Sequence, residues 1–78
     1  MLEDIIAAAR QYHIIKIVYI KVTTGDVKTY TLEPYSMRGD YLFGYDVLEG
    51  TIKKFLIHNI TSVEDTGETF TPRWEVEL

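Results

Sequence analysis

The run Ile14-Ile15-Lys16-Ile17-Val18-Tyr19-Ile20-Lys21-Val22 limits what this chain can fold into more than any other stretch. β-Branched residues dominate it, and along a strand successive side chains point to opposite faces. Ile15, Ile17 and Tyr19 then share one face, and Val18, Ile20 and Val22 the other. A strand that is apolar on both faces calls for a cover on each side. The natural covers are a barrel interior and a helix, or a partner chain. With 78 residues there is room for one domain only, near the lower limit of size for folding without staples. No cysteine is present, so neither a disulfide nor a thiolate metal site contributes. Ten aromatic residues (six Tyr, three Phe, one Trp) supply large buried areas to a small core.

Ahead of that strand, Leu2, Ile5, Ile6, Ala9 and His13 follow helical spacing, with Ala7-Ala8-Ala9 favouring helix. Glu3 and Asp4 near the start and Arg10 near the end match the helix dipole. The pattern predicts a helix over residues 2–12. After the strand, Thr23-Thr24-Gly25-Asp26 reads as a turn, and Val27 to Glu33 as a second strand that Pro34 ends or places on an edge. Tyr35 to Arg38 and Tyr41 to Val47 flank a tight turn at Arg38-Gly39-Asp40. Thr51 to Ile57 is the next strand, His58-Asn59-Ile60 a helical turn, and Thr61 to Asp65 a last core strand. The expectation is one helix followed by about five short antiparallel strands in a small, strongly bent sheet or barrel, with Gly39, Gly44 and Gly50 available for the sharp bends that closure needs. The domain is expected to span residues 1–70, with a tail over 71–78. In that tail Trp74-Glu75-Val76-Glu77-Leu78 alternates apolar and acidic residues, the signal of a half-buried extra strand. Trp74, Val76 and Leu78 form its apolar face. That face either folds back on the chain's own barrel or adds to the edge of a second copy, and the pattern favours neither.

Several function classes find no support. The net charge is −4, from 12 acidic and 8 basic residues, which suits a general binder of phosphate backbones poorly but leaves room for a local basic patch. His13 and His58 have no second ligand at metal spacing, so no metal or other cofactor is expected. No nucleophile elbow and no glycine-rich phosphate loop occurs, and the chain is not read as an enzyme. The start carries no signal peptide, and no stretch reaches the ~20 apolar residues that span a bilayer. The expectation is a cytoplasmic protein with no membrane partner. Tyr19, Tyr30, Tyr35, Tyr41 and Tyr45 read first as rings that fill and rim a barrel, and secondarily as a stacking surface.

Taken in order, Glu33-Pro34-Tyr35, Tyr41-Leu42-Phe43-Gly44-Tyr45-Asp46 and Phe55-Leu56-Ile57-His58-Asn59-Ile60 resemble the core of a WYL domain, a small barrel found mostly inside bacterial transcription regulators. Tyr41 and Leu42 match the name-giving Trp-Tyr-Leu, with Asp40 in place of the tryptophan. The resemblance implies a mainly β fold with one N-terminal helix and a five-stranded antiparallel Sm-like barrel. It also implies a non-enzymatic regulatory module that senses a small effector or a short single-stranded nucleic acid. The family's arginines in the last segment are Leu56 and Asn59 here, and its acidic position is His58. By resemblance, the ligand residues are Tyr35, Tyr41, Lys54, His58 and Asn59. No helix-turn-helix precedes the barrel, so a stand-alone, divergent WYL-like domain is expected. The lost arginines and the alternating tail support a second reading. In it the chain is a structural interaction module acting through homo-oligomerisation, or through docking a protein partner by Trp74, Val76 and Leu78.

Overall fold

A computed structural model describes residues 1–78. The elements run α1 (Leu2–Arg10), β1 (His13–Ile20), β2 (Val27–Arg38), β3 (Tyr41–Asp46), β4 (Thr51–Leu56), a 3-10 turn (Ile57–Asn59) and β5 (Ile60–Thr69). All strands pair antiparallel in one sheet of order β4-β3-β2-β1-β5. Helix α1 stops two residues earlier than its apolar spacing predicts. Tyr12 takes a left-handed conformation, φ 58°, and turns the chain directly into β1.

The sheet is open, because β4 and β5 are its two edges and share no ladder. Of the two forms expected, the backbone shows the bent sheet, and the strand pairing does not close it into the Sm-like barrel that the resemblance implies. The sheet is nonetheless strongly curled. At about 4.8 Å per strand, β4 would lie roughly 14 Å from β1 in a flat sheet. Yet the Leu56 amide donates to the Tyr19 hydroxyl at 3.0 Å, and the Tyr19 and Phe55 ring centroids are 5.1 Å apart. The concave face holds the core: Ile15 and Ile17 of β1, Leu32 of β2, Leu42 of β3, Phe55 of β4 and Ile60 of β5. Ile5 and Ala8 of α1 complete it. The other face of β1 is less covered than its composition suggests. Ile14, Val18 and Ile20 are half-buried, and Val22, just beyond the strand, is exposed.

Pro34 does not end β2. The β1 ladder reaches only to Leu32, so at Pro34 one side of β2 is already unpaired and the missing amide costs no bond. A bulge between Pro34 and Ser36 bends the strand there. Across from it, Gly44 lies so close that a Cβ would stand 3.0 Å from the Glu33 carbonyl oxygen. β5 runs beyond Asp65 to Thr69 because the β1–β5 register shifts between His13 and Ile15. Gly67, at φ 74°, takes up that shift, and its amide donates to Asp65 Oδ1 at 2.8 Å.

The tail forms no strand. It folds back on its own chain as an irregular strap along the unpaired side of β2. The Phe70 amide donates to the Tyr12 carbonyl and the Glu77 amide to the Tyr35 carbonyl, both at 2.8 Å. Trp74 stacks on Tyr35 with centroids 4.4 Å apart, and Leu78 packs against the core.

Candidate functional site

Strand alternation builds the site at one end of the concave face. Tyr19, Tyr30 and Phe55 close the core there as an edge-packed triad, with centroids 4.9 to 6.1 Å apart. Side chains two positions apart on a strand share a face. The next inward position beyond each ring is a lysine: Lys21 after Tyr19, Lys28 before Tyr30 and Lys53 before Phe55. The curl brings these positions of β2 and β4 and the end of β1 together, so a layer of ammonium groups sits above a layer of rings. Lys28 Nζ and Lys53 Nζ lie 5.0 and 5.2 Å from the Tyr30 centroid. Such cation–π contacts contribute about 0.5–1 kcal/mol at exposed sites. A hollow of about 380 Å³ opens here, lined by Tyr19, Lys21, Tyr30, Lys53, Lys54 and Phe55 together with Val22 and Thr23. No carboxylate lines it.

The acidic partners stand to one side, on the β3–β4 turn. The buried Asp46 carboxylate accepts from Lys53 Nζ at 2.9 Å and from the Leu48 and Glu49 amides at 3.0 and 3.1 Å. Burial pushes this carboxyl up, but the Lys53 and amide bonds outweigh it and hold it below the usual aspartate value. Lys53 also bonds to Glu49, which lowers Glu49 and, with Asp46, raises Lys53. Lys21, Lys28 and Lys54 have no ion-pair partner. They are free to meet an anion.

The five ligand residues expected from the sequence do not form one cluster. Lys54 lines the hollow, and its Nζ lies 4.7 Å from the centroid of Tyr41, which is partly exposed. His58 is exposed and borders a different hollow of about 520 Å³, with Met1, Leu2, Glu3, Ile57 and Ile60. Asn59 Nδ2 donates to the Ile20 carbonyl at 2.9 Å and so ties the 3-10 turn to β1. Tyr35 is 1% exposed beneath the tail. Its hydroxyl donates to Glu33 Oε1 at 2.6 Å and accepts from the Arg73 amide at 3.1 Å. Trp74 is partly exposed, whereas Val76 and Leu78 are half-buried against the chain itself. The sequence offers Lys28, Lys53 and Lys54 as a small phosphate-binding patch or, more simply, as solvated strand lysines, but it does not single out Lys21 or the turn carboxylates. The signal for the lysines was there in the repeated spacing Tyr19-x-Lys21, Lys28-x-Tyr30 and Lys53-x-Phe55.

No group of three His, Cys, Asp or Glu is placed to hold a metal ion, and no helix is long and apolar enough to cross a membrane. What remains is a curled five-stranded sheet with an N-terminal helix and a lysine-rimmed mouth over aromatic rings. Residues 1–65 match the WYL domain family model, and the chain belongs to that family. It is also similar to a solved structure, the proteasome accessory factor B/C (PafBC) of Arthrobacter aurescens, with a TM-score of 0.82 and 27% sequence identity. That alignment covers 91% of this chain but only 12% of the PafBC chain, so here the domain corresponds to a small part of a larger protein. Among curated proteins none matches.

Proposed function

We propose that this WYL domain is a non-enzymatic regulatory module that senses a small effector or a short single-stranded nucleic acid in a bacterial setting. Three of the eight basic residues of a net acidic chain (Lys21, Lys53 and Lys54) line one hollow floored by aromatic rings, with Lys28 beside it over Tyr30, and that observation carries the reading. Ammonium groups supply the attraction for an anionic ligand, and the rings and the half-open Tyr41 supply stacking surface. The curl that nearly joins β4 to β1 supports regarding the sheet as an incomplete Sm-type barrel whose mouth is this hollow. Of the expected ligand residues, Lys54, which lines the hollow, and Tyr41, whose ring lies under the Lys54 ammonium, are the ones this reading assigns to it. His58 would extend the site along the 3-10 turn.

The direct test is fluorescence anisotropy of labelled single-stranded DNA and RNA, titrated at low and at physiological salt. Saturable binding that weakens with salt is expected, with a shallow slope because few phosphates are neutralised. Lys54→Ala with His58→Ala should weaken it while the fold survives. Unchanged affinity in that double variant would remove these two residues from the site, and no binding at low salt would remove the nucleic-acid branch.

A second reading, a protein-docking or homo-oligomerising module, is favoured by the two unpaired sheet edges and by exposed Val22, Leu48 and Ile52. Its test is the mass of the chain in solution across a wide concentration range. A monomer at every concentration counts against self-association.

A further inference from the structure

Lys53 is held by two carboxylates of different standing. Asp46 is 3% exposed and fixed by two turn amides as well as by Lys53. The Glu49 side chain is 55% exposed and is held by Lys53 alone. An exposed pair of this kind contributes little and exchanges readily, whereas a buried carboxylate stays paired. Glu49 also borders a smaller hollow of about 150 Å³ that includes Lys28 and Asp46 and shares Tyr30 with the larger one. The Glu49 carboxylate thus stands at the side of the lysine mouth, on a cation that an incoming anion would use.

We propose that Glu49 is a built-in competitor for the mouth: its carboxylate occupies Lys53 in the empty protein and is displaced by an anion bearing phosphate. Displacement frees the Glu49 side chain while Asp46 keeps Lys53 in place. The turn then carries an unpaired carboxylate only in the occupied state, which gives the domain a local difference between its two states. The inference rests on the reading of the mouth as an anion site.

The test uses the full chain, inorganic pyrophosphate as probe and calorimetric titration at low ionic strength. Glu49→Gln should bind about two- to five-fold tighter than the parent chain, the range that removal of an exposed ion pair allows. Lys53→Met should bind more weakly than either. In the parent chain, the Glu49 carboxyl carbon resonance should titrate below the ordinary glutamate range, and saturation with pyrophosphate should move that titration up. Binding by the parent chain with no gain in Glu49→Gln and no movement of the Glu49 titration overturns the competitor role alone. No binding by the parent chain or by Glu49→Gln overturns the anion site and the competitor with it. Binding seen only in Glu49→Gln supports both.

Discussion

Arg73 donates from Nε and Nη2 to the two carboxylate oxygens of Glu33, at 3.1 and 3.3 Å, across forty residues of sequence. Glu33 is 3% exposed, and its other partner is the Tyr35 hydroxyl. The guanidinium also lies over Tyr45, 3.9 Å from its centroid. One side chain thus fastens the strap to β2 and β3 and supplies the only opposite charge of a buried carboxylate. Removing one partner of such a pair leaves the other buried and uncompensated. Arg73→Met should therefore lower the urea midpoint more than Arg38→Met does, since Arg38 makes only an exposed 3.4 Å contact with Glu77. Trp74→Ala should remove about 0.5–1.5 kcal/mol of stacking beyond its buried area. Equal midpoints for Arg73→Met and Arg38→Met would show that the strap is not held this way.

Gly44 and Glu33 set a second expectation. A Cβ on Gly44 would meet the Glu33 carbonyl at 3.0 Å and the Leu32 Cβ at 3.5 Å, and the nearest atom is backbone, which cannot swing aside. Gly44→Ala should push β2 and β3 apart at the bulge and cost about 1–3 kcal/mol, the usual range for overpacking. Denaturant unfolding measures it. A neutral substitution would mean that the β2–β3 approach relaxes freely.

Acid should reach Asp46 late, below the ordinary carboxylate range. Its carboxyl is held low by Lys53 and the turn amides in spite of burial, so its folded value lies under its unfolded one. The stability this adds is complete above the unfolded value, roughly pH 4, and is lost as pH falls through the lower folded value. Asp46→Asn should cost about 1–3 kcal/mol at neutral pH, the scale of hydrogen bonds to a charged group. Its stability curve should approach that of the parent chain in acid. Asp65 titrates in the same direction, lowered by the His13 ring and the Gly67 amide, and forms a second acid-sensitive point where β1 meets β5. Parallel curves for Asp46→Asn and the parent chain from pH 7 to pH 2 would refute the assignment to Asp46.

Local patterns were legible where periodicity and burial agree. The helix read from Leu2, Ile5 and Ala9 and the inward face Ile15, Ile17 and Tyr19 are present as expected. The tail shows why period 2 is not sufficient evidence for a strand. Any extended segment lying on a surface alternates its side chains, and Trp74, Val76 and Leu78 do so with one ladder-like bond to Tyr35. The burial of Tyr35 had no local signal. Its partners Arg73, Trp74 and Phe70 all lie thirty-five or more residues away. The mouth was half legible: each lysine could be placed beside its ring by counting two. Bringing β1, β2 and β4 together depends on a curl that no single strand encodes.

Tyr35 gives the last expectation, at the alkaline end. Its phenol is pushed up to about 12. Burial is the main cause. The hydrogen bond to Glu33 and the charge of Glu33 add to it, while the Arg73 amide and guanidinium oppose it. Because the folded value lies above the unfolded value of about 10, the fold favours the neutral phenol. That contribution is complete below pH 10 and disappears as pH rises through 10 toward 12. Absorbance at 295 nm should show a late ionisation near pH 12 that Tyr35→Phe lacks. The same variant leaves Glu33 and the Arg73 amide each short of one bond, at about 1 kcal/mol apiece. It should thus be less stable than the parent chain at neutral pH, with the difference shrinking above pH 10. The late phase should also fall to lower pH in Arg73→Met if that substitution lifts the strap. Losing the strap removes the Trp74 ring from Tyr35 and admits water to the phenol. A late phase that stays near 12 in Arg73→Met would show that β2 and Phe70 bury Tyr35 without the strap.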